Sequence, residues 1–169
     1  DTVPGIVGRY SEENAQKIAT LKHRSIDKGF IILIPSLTFL NTLIKSDSKN
    51  INQMIHQFWP GPLTIIFNKA PNIPNIITGN RDTIAIRWPS HPILNQILIE
   101  LNEPLLSTSA NLSGKSQDID YFADTVDFII HDNNHDKQLP STIIQEKNNA
   151  WKILREGAIP ASDILNANY

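Results

Sequence analysis

The chain contains no cysteine, which excludes a thiol nucleophile, a cysteine-ligated zinc site and a disulfide framework, and suits a cytoplasmic protein. It also lacks an apolar run long enough to cross a membrane. The opening DTVPGIVGRY has neither the basic start nor the long apolar stretch of a signal peptide, so a soluble protein with no membrane partner is expected. No glycine-rich phosphate loop ending in Lys-Ser or Lys-Thr occurs, and no three-glycine dinucleotide turn follows a strand. Phosphate binding would therefore fall to side chains. No serine carries the flanking glycines of a hydrolase nucleophile elbow, and no segment repeats. A net charge of −2 argues against a generally basic nucleic-acid coat.

What is present is globular. With 169 residues, 40% apolar and 19% charged, the chain is long enough for a single domain spanning 1–169 with its own core. Ser11 followed by Glu12 and Glu13, with the stripe Ala15, Ile18, Ala19 and Leu21, predicts a capped helix. FIILI (30–34) reads as a buried strand, 37–44 and 48–58 as helices, and WPGP (59–62) breaks the second of these. LTIIF (63–67) and TIAIR (83–87) are β-branched strands, ILNQILIEL (93–101) is a helix that His91 would start, and PLLST (104–108) is another strand. A helix over 119–125, strands near 126–130, 142–145 and 151–155, and a short helix after Pro160 complete the pattern. The alternation predicts an α/β sheet with flanking helices, whose strand order is not legible. HDNNHDKQ (131–138) is expected to be a polar surface connection.

Three segments offer polar groups at the ends of elements, where α/β folds place their ligands. Lys22 and Arg24 stand two apart, a spacing that shares a face in extended chain but not in a helix. With Lys17, His23 and Lys28 they form a basic cluster, either an anion site or a solvated helix end. LLSTSANLSGKS (105–116) leaves an apolar run for small hydroxyls and an amide, repeating the spacing in Ser109 and Asn111, although ordinary loops share that composition. Arg87 ends a strand ahead of Trp88 and Pro89. Together these groups suit a polyanion. Aspartates 118, 120, 124, 127, 132 and 136 populate a separate region. His131 and His135 lie four apart, but the asparagines between them mark a loop and no third ligand is evident, so no metal site is expected. Trp59 and Trp88 are expected to pack rather than stack on a base, and Arg81 and Asp82 to follow a bend made by Gly79 and Asn80.

In order, DTVPG, LKHRSIDKGFIIL, FWPGPLTIIF, TIAIRWPSHP, LLSTSANLSG, PSTII and ILREGAIP resemble the YrdC/TsaC family of threonylcarbamoyl-AMP synthases, in its short bacterial form. The resemblance implies a YrdC-like twisted, mixed or largely parallel sheet with flanking helices and a concave ligand cleft. It implies a nucleotidyltransferase that converts ATP, L-threonine and bicarbonate to L-threonylcarbamoyl-AMP and pyrophosphate, with Mg²⁺ accompanying the ATP. Partner tRNA threonylcarbamoyl-transferase proteins would pass the group to the adenosine beside the anticodon, and tRNA is itself a candidate partner. By the same resemblance Lys22 and Arg24 would be catalytic. These two, with Ser109, Asn111 and Arg155, would bind ATP, and Thr2, Thr64, Arg87, Ser107 and Ser141 would line the threonine side. Two departures stand out: Pro4 replaces the family's usual aromatic residue, and Asp1 falls inside the first motif, so the first strand is expected to be missing and a sheet edge bared. The alternatives are a non-catalytic RNA-binding module resting on the Lys17–Lys28 cluster, and a relative with another carbamoyl-adenylate chemistry.

Overall fold

The computed structural model describes residues 2–45, 49–112, 114, 119–131 and 139–167. Its strands are β1 (Gly5–Arg9), β2 (Ile31–Leu33), β3 (Leu63–Asn68), β4 (Thr83–Arg87), β5 (Leu105–Ser109), β6 (Thr142–Lys147) and β7 (Ala150–Arg155). The helices are α1 (Glu12–Leu21), α2 (Leu40–Leu43), α3 (Lys49–Phe58), α4 (Asn75–Thr78), α5 (Pro92–Leu101) and α6 (Ala161–Asn166). The strands form one sheet in the order β1-β5-β2-β4-β3-β6-β7. Only β2–β4 and β3–β6 pair in parallel, so the α/β sheet is mixed. No helix among the described residues is long and apolar enough to cross a membrane.

Local chemistry starts the two long flanking helices. The Ser11 hydroxyl accepts the Asn14 N–H at 3.1 Å, and Glu12 and Glu13 oppose the positive end of α1. At α5 the His91 ring nitrogen accepts the Leu94 N–H at 3.4 Å, with Pro92 at the first helical position.

The strand period of two sorts the side chains into two faces. Leu106, Ile32, Ile86, Ile65 and Ile144 pair in succession across five strands, and each is 0% exposed. Helices α1 to α4 and α6 close over that row with Ala15, Leu40, Met54, Ile77 and Ile164, each buried aliphatic side chain contributing roughly 1.5–3 kcal/mol. On the other face α5 sets Leu98 against Leu33 and Leu105, with Ile31, Leu94 and Ile97 packed around them. The neighbouring row there, Ser107, Ile31, Ala85, Ile66 and Gln145, stays half-buried. That row faces the site.

Several expectations are corrected. The residues near 126–130 form no strand: Phe128 and Ile130 are exposed and have no pairing partner among the described residues, because an apolar run makes a strand only where a neighbour supplies the ladder. The helix over 119–125 is a tighter 3₁₀ segment, Asp120–Thr125, and 37–44 divides into a 3₁₀ turn and α2. Apart from His131, the polar connection with His135 lies outside the described residues, as do Asp118, Asp132 and Asp136. Two elements were not expected. α4 has only four residues, and β1 is glycine-rich yet pairs along β5, with Arg9 in a two-point ion pair to Glu103 at 2.6 and 3.0 Å. Pro4 precedes that ladder, and its carbonyl accepts the Ala110 N–H at 2.9 Å, so its missing N–H removes no strand bond.

Candidate active site

The end of α1 builds the first half of the site. Lys22 caps the helix and His23 takes φ 46°, a left-handed turn uncommon outside glycine. That turn sends Lys22 and Arg24 together toward the end of β5. The Lys22 ammonium donates to the Ser109 carbonyl and, at 3.4 Å, to the Asn111 side-chain oxygen. The Ser109 hydroxyl donates to that same oxygen at 2.5 Å. Arg24 donates to the Thr108 hydroxyl at 2.5 Å and to the Gly29 carbonyl, with its guanidinium 5.4 Å from the centre of the Phe30 ring. Four of the sequence candidates, Lys22, Arg24, Ser109 and Asn111, therefore converge.

Charge in this half is not neutralised. Lys22 is 2% exposed, and among the described residues no carboxylate is ion-paired with Lys22 or Arg24. Burial, then Arg24 and Lys28, push the Lys22 ammonium down to about 8. Burial, then Arg81, lowers Arg24. Such a cluster can receive an anion from outside the chain. It is a poor RNA-binding face, because Lys22 points inward and Lys17 is paired with Glu13 at 2.6 Å.

The second half lies on the sheet's open face. Arg87, 5% exposed, pairs with Leu33 across β2. It donates to the Gly61 carbonyl at 2.9 Å and the Thr2 hydroxyl at 3.0 Å. Burial, then Arg155, pushes it down to about 10, so it stays charged at neutral pH. Thr64 pairs with Ile143, which pairs with Arg155. The Thr64 and Ser141 hydroxyls share a hydrogen bond of 2.8 Å. Arg155 reaches the Ser141 carbonyl at 2.8 and 3.0 Å and its hydroxyl at 3.0 Å. Thr2, Thr64, Arg87, Ser141 and Arg155 thus form a second polar group, while Ser107 lies in the half-buried row, paired with Ile31.

A cavity of about 380 Å³ opens over Ile66, Ala85 and Gln145 of that row and is lined also by Lys28, Phe30 and Arg81; none of the site residues expected from the sequence lines it. Apolar floor, amide and cations together suit a charged organic ligand. Sequence reasoning missed Thr108, Arg81 and Gln145 here. Thr108 was passed over because its neighbours share the other face, although Arg24 is what it serves. Arg81 does follow the expected Gly79–Asn80 bend, but the bend sits against the Ser25–Gly29 segment, with Asn80 donating to Asp27 at 2.8 Å and Arg81 to the Lys28 carbonyl at 3.3 Å. The tryptophans pack as expected: Trp59 is buried and donates to the Leu63 carbonyl at 2.7 Å, and Trp88 lies against the core.

Known proteins resemble this chain in sequence and fold. The family model for Sua5/YciO/YrdC, described as telomere recombination, matches residues 1–157. The chain is 35% identical to the threonylcarbamoyl-AMP synthase of Pyrococcus abyssi, over 97% of this chain and 50% of that protein. It is 31% identical to the threonylcarbamoyl-AMP synthase of Idiomarina loihiensis, over 88% and 83%. Among solved structures, P. abyssi Sua5 complexed with L-threonine superposes with TM-score 0.87 at 30% identity, covering 98% of this chain and 52% of that one. E. coli YciO superposes with TM-score 0.77 at 28% identity, covering 98% and 84%. The chain spans half the length of the P. abyssi protein.

Proposed function

The chain belongs to the Sua5/YciO/YrdC family, and from that premise we propose that it is a threonylcarbamoyl-AMP synthase, an enzyme joining L-threonine, bicarbonate-derived carbon dioxide and ATP. The observation that carries this reading is the pair of buried Lys22 and half-buried Arg24, ion-paired with no carboxylate among the described residues and held at the hydroxyl-rich end of β5. Such a pair matches the triphosphate of ATP. Thr2, Arg87, Thr64 and Ser141 supply the hydroxyls and buried cation that a small amino acid with its own hydroxyl and carboxylate requires. The threonine amine adds to carbon dioxide to form a carbamate and release a proton. A carbamate oxygen then attacks the α-phosphorus, and pyrophosphate leaves.

Lys22 and Arg24 offset the charge that grows on the phosphoryl oxygens during this exchange, and the cleft holds the two reactants in line. Among the described residues no three of His, Cys, Asp and Glu gather as a metal site, and no carboxylate lines the cavity. A Mg²⁺ ion accompanying the nucleotide would add charge neutralisation beside the cations Lys22 and Arg24. The product would pass to tRNA threonylcarbamoyl-transferase proteins in the cytoplasm for transfer to tRNA.

The test is pyrophosphate release from ATP with Mg²⁺ and bicarbonate, with and without L-threonine. Threonine-dependent release, reduced about a hundredfold or more in Arg24→Ala, is the expected result. Release independent of threonine, or unchanged in Arg24→Ala, would overturn the reading.

A further inference from the structure

Thr142 lies beside the polar group that Ser141 and Arg155 form, yet its side chain is on the opposite face of the sheet, with Leu63 and Ile144. It is 0% exposed. Its hydroxyl accepts the Gly157 and Ile159 N–H groups, both at 3.0 Å, and donates to the Ile159 carbonyl at 2.6 Å. One donor and two acceptor positions are the full capacity of a hydroxyl. The Ala158 N–H adds a bond to the Pro140 carbonyl at 2.8 Å, and a Cβ at Gly157 would collide with that carbonyl. The Gly157–Ile159 segment is thus closed tightly onto residues 140–142. Arg155 lies two residues before the closed segment, and Ser141 one residue before Thr142. A single hydroxyl therefore ties down both arms of the Ser141–Arg155 contact.

We propose that Thr142 is a positioning residue that sets Ser141 and Arg155 for the threonine end of the cleft. It touches no ligand and acts through those two side chains. The inference rests on the reading of the cleft as a threonine-adenylating site.

The experiment compares Thr142→Val, which keeps the shape and strands two buried N–H groups, with Thr142→Ser, which keeps the hydroxyl. Calorimetric binding of L-threonine and of inorganic tripolyphosphate is measured on the folded proteins, with amide exchange at Gly157 and Ile159. Thr142→Val is expected to weaken threonine about tenfold and tripolyphosphate less than about twofold, because the Lys22–Arg24 end is untouched. Thr142→Ser is expected to bind threonine like wild type. Wild-type threonine affinity in folded Thr142→Val would overturn the proposal, and so would lost affinity in Thr142→Ser, an outcome available even where the valine variant does not fold. A wild-type protein that binds no threonine would overturn the reading of the cleft. That failure is told apart by Gly157 and Ile159 amides that are still protected in wild type.

Discussion

Lys22 shows how a single residue can be made useful at the expense of stability. Its ammonium is pushed from 10.5 down to about 8, chiefly by burial. Below that value the folded protein holds a buried charge at a cost. Between about 8 and 10.5 the unfolded chain binds more protons than the folded one, so stability rises with pH across that window. Lys22→Met removes the buried charge. Its stability relative to wild type should be most favourable near pH 7 and should decline between about 8 and 10.5, read from urea unfolding at several pH values. An advantage that grows with pH would show that burial is not the cause. A bound triphosphate reverses the shift, because an opposite charge favours the ammonium. Nucleotide binding should therefore take up a proton near pH 8, which calorimetry in buffers of different ionisation enthalpy detects. The spacing of Lys22 and Arg24 marked them only as a candidate pair, open also to a solvated helix end, and their role came from the family resemblance. The inward aim was not legible, because it depends on the positive-φ turn at His23, which histidine tolerates better than most residues but adopts too seldom to be foreseen.

At the scale of elements, caps and breakers were legible, and pairing partners were not. α1 and α5 begin where Ser11 and His91 predict, since both signals act within one turn. β1 went unseen because glycines at positions 5 and 8 carry little strand preference, and only β5, some hundred residues later, supplies its ladder. The reverse failure came at 126–130, where good strand residues have nothing to pair with among the described residues. The junction between the Ser25–Gly29 segment and the α4 turn was equally hidden. Gly79 has φ +66°, and a Cβ there would collide with the Asp27 carbonyl and approach the Gly29 nitrogen to 2.5 Å. Gly79→Ala should destabilise by about 2 kcal/mol or more and weaken nucleotide binding, because Lys28 and Arg81 at the cavity depend on this contact. Gly114→Ala, with φ +80° and nothing within 4 Å among the described residues, should cost about 1 kcal/mol. Equal losses in the two variants, read from denaturant unfolding, would show that backbone strain alone matters.

Across the whole molecule the sheet separates stability from chemistry by parity. Strand order had to come from the structure, since a ladder such as β3–β6 joins segments about eighty residues apart and leaves no local trace. The parity itself was present in LTIIF, but nothing in that run says which of two adjacent isoleucines faces the helices. Ile65 is 0% exposed in the row that packs under α1 to α4 and α6, and Ile66 is half-buried on the cavity floor. The same substitution should therefore have opposite consequences at neighbouring positions. Ile65→Ala should lower unfolding free energy by roughly 2–5 kcal/mol while leaving ligand affinity of the remaining folded protein near wild type. Ile66→Ala should cost less than about 1.5 kcal/mol, because a half-exposed side chain leaves little cavity, and should weaken nucleotide binding several-fold. Denaturant unfolding and calorimetric binding on both variants check the pair. Equal stability losses would mean that the second face is as much a core as the first, and the sheet would then have no free side on which to hold a ligand.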